Sequence, residues 1–258
     1  VTYDGSENMQ PDLLWFKNRQ QALNWMMFDS VRGITKYFYS NLTEAEGTND
    51  PATVLTAIGS DGFTVGANNN VNQSSNNIIN YGWKAGTSFT NDATGIGTID
   101  STGSVNDTAG FSIVSYTGNG SSGATIKHGL STAPKIIIAK NRQRVADWLV
   151  FSSSMSSNGD YALFLQSTSA KDNSQDYWGD TAPTSSVFSV GNRQENNQSG
   201  ENIIAYCFSE VKGYSKFSSY EGNNNINGSY IHLGFSPAFI IIKAIDNARN
   251  WMMYDNKR

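Results

Sequence analysis

Six carboxylates, Asp29, Glu44, Glu46, Glu195, Glu201 and Asp255, are the residues from which an acid and base pair for glycoside cleavage would have to be drawn. The two histidines, His128 and His232, have no second His, Cys or close carboxylate at ligand spacing, so a turn hydrogen bond is the expected role of each. Cys207 is the only cysteine and sits in an apolar run, which predicts a buried thiol and no disulfide within the chain. No Gly-x-Ser-x-Gly elbow, phosphate loop or zinc spacing occurs, and DGSEN at 4–8 and SDG at 60–62 do not continue into a full calcium loop. The sequence therefore predicts no catalytic residue, no cofactor and no metal site, and a chain that is not an enzyme.

What remains is binding by amides and rings. Asn-rich stretches occur at 68–77, 191–198 and 223–227. Asn tolerates left-handed turns, and turn chemistry accounts for these clusters by itself. The alternative is contact with sugar hydroxyls, in which Asn196, Asn197, Asn223 and Asn224 supply amides while Tyr177 and Trp178 lie exposed and cover the ring.

The elements that would hold these groups recur. Pro11, Pro134 and Pro237 each open a similar stretch, with a lysine six residues later (Lys17, Lys140, Lys243) and a tryptophan fourteen residues after the proline (Trp25, Trp148, Trp251). Equal internal spacing in three places predicts a duplicated structural unit. Each stretch reads as two apolar strands joined by a polar turn, with the tryptophan packed on the core and the lysine carrying its stem on the core and its ammonium at the rim. Further along, Phe38 matches Leu163, Phe63 matches Phe188 and Trp83 matches Phe208, at one offset of 125. A register held over that distance predicts a shared backbone, because a one-residue slip turns every side chain of a strand over. Asp29 recurs as Asp255 but as Ser152 in the second stretch, and Glu44 and Glu46 match Ser169 and Lys171, which argues against an essential carboxylate.

With 29 Asn beside 24 Gly and a charged fraction of 16%, the chain reads as short strands joined by many polar turns. The fold expected is all-β, tandem sandwich-like modules of jelly-roll or lectin-like type. Residues 1–109 make a first module plus a crossing segment, with Val1–Tyr3 as an incomplete opening strand; 110–212 make a complete second module, and 213–258 the opening part of a third. The stretch from Lys84 to Ala109 has no counterpart after Phe208 and reads as a surface excursion or a ribbon crossing between modules. Phe239, Ile241, Trp251 and Met253 of the third opening are expected to pack on something outside the supplied sequence, which reads as a fragment of a longer polypeptide. Net charge is −4 with Lys and Arg scattered, which excludes nucleic acid as a partner. The longest apolar runs fall short of the roughly 20 residues a membrane helix needs, so no membrane insertion is expected.

FSIVSYTGNG followed by IKHGLSTAPKIIIAKNR and DWLVF resembles a repeat found in large structural proteins of tailed bacteriophages, many of them marine. QPDLLWFKNR, WMMFDSVRG, NLTEAEG, GIGTIDSTGSVN and WMMYDNKR resemble parts of the same repeats. The first copy lacks HGL and the third reads HLGFSP. The resemblance implies a component of the virion exterior, of tail-fibre, tail-spike or head-surface type, and brings no catalytic residues with it. Its expected partners are other virion proteins, further copies of itself as a homo-oligomer, and host-surface glycans. Capsid decoration is the alternative reading, and a glycan depolymerase a third.

Overall fold

Strand-forming residues with alternating faces follow each of the three prolines, and each stretch folds back on itself as an antiparallel hairpin. The structure, a computed structural model, describes residues 8–50 and 52–257. The predicted strand at Val1–Tyr3 and most of the DGSEN segment lie outside the described residues.

In chain order the strands are β1 (Leu13–Asn18), β2 (Met26–Asp29), β3 (Lys36–Tyr39), β4 (Gly47–Thr48), β5 (Leu55–Gly59) and β6 (Gly62–Val65); after a single turn of helix, α1 (Asn69–Asn72), come β7 (Ile78–Trp83), β8 (Thr87–Asn91) and β9 (Ser101–Asn106). They continue as β10 (Phe111–Thr117), β11 (Ala124–Lys127), β12 (Ile136–Asn141), β13 (Leu149–Ser152), β14 (Leu163–Phe164), β15 (Val187–Val190), β16 (Asn202–Phe208), β17 (Phe239–Ile242) and β18 (Met252–Asp255). The fold is all-β and sandwich-like. One sheet runs β4-β3-β2-β1-β7, a larger one runs β14-β13-β12-β16-β10-β9-β8, and the pairs β5-β6, β11-β15 and β17-β18 form small sheets.

The pairings agree residue for residue between corresponding stretches. Leu13 faces Asp29, Ile136 faces Ser152, and Phe239 faces Asp255. Leu13 also faces Trp83 across β1 and β7, as Ile136 faces Phe208 across β12 and β16. Met27 faces Phe38, as Val150 faces Leu163.

The alternation of each hairpin divides its side chains between two cores. Leu14, Phe16, Met26 and Phe28 pack beneath β5 and β6 with Leu55, Phe63 and Val71 of α1. Ile137, Ala139, Leu149 and Phe151 pack beneath β11 and β15 with Ile126, Phe188 and Val190. The opposite faces, Leu13, Trp15 and Met27 with Trp148, Ile204 and Tyr206, form an apolar seam between the two large sheets. The partner strand of the small sheet differs: β11 precedes its hairpin, whereas β5 follows its own.

Of its two expected forms the stretch from Lys84 to Ala109 takes the ribbon: β8 and β9 pair with each other, and β9 extends the large sheet beside β10. Two expectations change here. One face of the third hairpin rests on the chain's own first two units: Trp251 packs beside Val150 and Leu163, Met253 joins the apolar seam, and Phe239 lies 4.6 Å from the ring of Tyr81, while Ile241 stays 38% exposed. Finally, Lys140 is fully buried, with its ammonium not at a rim. Its Nζ donates to the carbonyls of Asn141 and Arg144, as that of Lys17 donates to Asn18, Gln21 and Leu23. In each case the lysine ties the hairpin turn together, satisfying carbonyls that no strand partner reaches. Burial pushes the Lys140 ammonium down to about 8.

Candidate interaction site

Four of the six residues predicted to contact a ligand are not on the surface. Tyr177 and Trp178 are 6% and 1% exposed. Trp178 packs edge-on against Phe151 at 6.0 Å, and the Tyr177 hydroxyl donates to Asp172 at 2.6 Å. Burial first, and that carboxylate second, push the Tyr177 phenol up to about 12. Asn196 and Asn197 are both fully buried. Asn197 accepts from the amides of Asn119 and Gly120 and donates to the carbonyls of Ser121 and Gly191, while Asn196 donates to the carbonyl of Tyr177. Their amides staple one loop to another, which is the turn chemistry that Asn favours. Asn223 and Asn224 are exposed; Asn223 bonds Asn225 and Asn227 within its own loop, and Asn224 has a φ of 48°. No single face combines the six.

His128 behaves as a turn residue. His128 has no exposed surface; its Nδ1 accepts from the Leu130 amide, which leaves Nε2 to donate to the Thr184 carbonyl at 3.1 Å. Burial holds it down at about 4, against 6.5 for the ordinary imidazole. The unfolded chain thus binds the proton first, and stability falls as pH drops from 6.5 towards 4, by on the order of 3 kcal/mol. Urea titrations across that window will show this loss, and His128→Gln will flatten it. His232 is exposed. Among the described residues, no three His, Cys, Asp or Glu side chains gather as a metal site. Cys207 is buried in the second core, and burial pushes its thiol up to about 12.

Asp29, Glu46 and Glu201 each meet an arginine. Asp29 and Arg32 form an ion pair at 2.5 Å with both side chains fully buried. The hydroxyl of Tyr206, from β16, donates to Asp29 at 2.7 Å. Arg32 continues to Glu46 at 3.2 Å, and Glu46 is gripped from the other side by Arg142 at 2.8 Å. Burial by itself would lower the Arg32 pKa, but Asp29, Tyr206 and Glu46 outweigh it and raise it. Glu201 is held by Arg144 and Asn141, and the Arg144 bond keeps its carboxyl below the usual range. A carboxylate held in this way has its lone pairs already committed to fixed donors.

This network belongs to a seam in which one unit grips the next. Trp148 Nε1 donates to the carbonyls of Tyr39 and Leu42, the Ala146 amide donates to Thr43, and the Glu46 amide donates to Arg142. The same bonds recur one unit later: Trp251 Nε1 donates to Phe164, the Arg249 amide to Thr168, and the Lys171 amide to Ile245. The ion pair across the seam has its polarity exchanged. Glu46 meets Arg142 at the first seam, and Lys171 meets Asp246 at 2.9 Å at the second. A third contact links the last hairpin to the first unit: Tyr81 donates to Asp255 at 2.9 Å, as Tyr206 does to Asp29. Sequence reading missed Arg32, Arg142 and Tyr206; Arg142 and Tyr206 find their partners in the first unit, far away in sequence.

A family model describing a domain of unknown function, DUF7483, matches residues 4–258. No curated protein and no solved structure matches the chain.

Proposed function

We propose, for a chain that belongs to the DUF7483 family, a non-enzymatic structural role on the exterior of a bacteriophage virion, in which duplicated β units stacked in series build a rigid projecting body. The observation that carries this reading is the seam made twice with the same bonds, from Trp148 to Tyr39 and from Trp251 to Phe164. Units that grip their neighbours by a recurrent tryptophan bonded to backbone carbonyls suit a load-bearing array, because the accepting side needs no particular side chain. The resemblance of the YTGNG, HGL and IIIAK motifs to repeats of tailed-phage structural proteins points the same way. The engagement of Asp29, Glu46 and Glu201 by arginines favours structure over hydrolysis. Glycan contact, within this proposal, falls to the exposed loop of Asn223 and Asn224, with Tyr220 and Tyr230 nearby in sequence at 50% and 88% exposure.

Immunogold labelling of intact phage particles with an antibody raised against the chain is expected to mark tail fibres or spikes. Label on head lattice positions would favour the decoration role, and unlabelled particles would end the proposal. A glycan array is expected to give signal that falls when Tyr220 and Tyr230 are changed to alanine.

A further inference from the structure

Two apolar surfaces in this molecule are uncovered where their counterparts are covered. On the third hairpin, Ile240, Met252 and Tyr254 are 37%, 46% and 50% exposed. By register they correspond to Leu14, Met26 and Phe28 of the first hairpin and to Ile137, Leu149 and Phe151 of the second, all 2% exposed or less. Those six lie beneath β5-β6 and β11-β15. The second surface is the turn of the first hairpin. Trp148 is fully buried by the Tyr39–Glu46 segment, but Trp25 is only half-buried, against Trp15 at 5.7 Å. Among the described residues, Trp25 Nε1, the Leu23 amide, the Arg19 carbonyl and the Arg19 guanidinium have no partner, although their counterparts Trp148, Ala146 and Arg142 do.

The contact between Tyr81 and Asp255 relates these two surfaces. Tyr206 of the second unit bonds Asp29 of the first, so Tyr81 of the first unit bonding Asp255 of the third places the first unit after the third, as the second follows the first. The rings of Phe239, Tyr81 and Trp83 close the same contact at 4.6 and 6.0 Å. The series therefore turns back on itself after three members, in the way a heterologous interface closes when its rotation permits.

We infer that the three units form a closed ring, and that the gap between the third hairpin and the first is a docking site for a β segment of the Ser30–Gly86 kind, joined directly to β18 as in the first unit. That segment would cover Ile240, Met252 and Tyr254 with its small sheet and receive Trp25 on the carbonyls of its Tyr39-type turn. Charge narrows it further. Arg19 corresponds to Arg142, which faces Glu46, so the segment carries a carboxylate at that position. The inference rests on reading the chain as serial β units, but not on where those units reside; labelling of phage particles and ring closure can fail separately.

The test grafts a second copy of residues 30–86 directly after Asp255 and compares it with the unmodified chain. In the unmodified chain Trp25→Ala is expected to lower Tm less than Trp148→Ala does, since it loses only its packing on the seam core beside Trp15. In the grafted chain the same substitution should lower Tm by about 5 °C more than that, and Arg19→Glu by about 5 °C or more, as expected once an interface has formed there. Hydrogen exchange should show β17 and β18 newly protected in the graft. A grafted chain that fails to fold cooperatively, or in which Trp25→Ala costs no more than in the unmodified chain, overturns the inference. So does an unmodified chain in which Trp25→Ala costs as much as Trp148→Ala, or one that sediments as a dimer with Trp25 and Tyr254 already protected.

Discussion

Replacing Arg32 with alanine will destabilise the chain by about 3–5 kcal/mol, a large share of the roughly 5–15 kcal/mol that holds an ordinary domain folded. The side chain is fully buried and bonds Asp29 through Nε at 2.5 Å, with Glu46 at 3.2 Å. Its removal strands the Asp29 carboxylate between β2 and β16 with the Tyr206 hydroxyl and the backbone amide of residue 32 to meet it, but no cation. An unpaired buried charge costs far more than the pair contributes. The double variant Arg32→Met with Asp29→Leu should therefore be more stable than Arg32→Ala, since it removes both charges and fills the space. Urea midpoints followed by tryptophan fluorescence will rank the three chains; equal stability of Arg32→Ala and the parent chain would show that the network is solvated.

Trp148→Ala comes next, with an expected loss of about 3–5 kcal/mol. The indole is fully buried, stacks edge-on against Phe38 at 5.1 Å and donates to two carbonyls of the preceding unit. Its loss opens a cavity at the seam and leaves the Tyr39 and Leu42 carbonyls short of a donor, so two sheets loosen together. Hydrogen exchange should rise in β3 and β14 at once. A loss confined to β12 and β13 would mean that the seam does not depend on this ring. Trp148→Phe should recover part of the packing but neither hydrogen bond.

The hairpins were readable from the chain because their information is local. Proline, lysine and tryptophan at fixed spacing set strand, turn and face within one stretch, and Leu13 to Asp29 pair as that spacing implies. Tyr177 and Trp178 were misread for a physical reason. Their neighbours, DNSQ before and GD after, are polar, and polar flanks signal a loop tip. Here Asp172 and Asp176 turn their bonds inward, onto Ser174, Tyr177 and the Gly179 amide, and the loop folds over its own aromatics. A Cβ at Gly191 would sit 1.9 Å from the Asp176 carbonyl, so the two loops meet too closely for any other residue. The seam could not be read at all. Arg142 and Glu46 are 96 positions apart, Tyr206 and Asp29 are 177 apart, and the pairing changes sign between seams, so no repeated charge marks it, and the recurrent tryptophan gives no sign of its acceptor.

That change of sign makes the two hairpins unequal in each other's slots. The last hairpin set in the first slot would bring Asp246 up against Glu46, and the second hairpin set in the last slot would bring Arg142 towards Lys171. Both exchanges juxtapose like charges, which disfavours them against the native order.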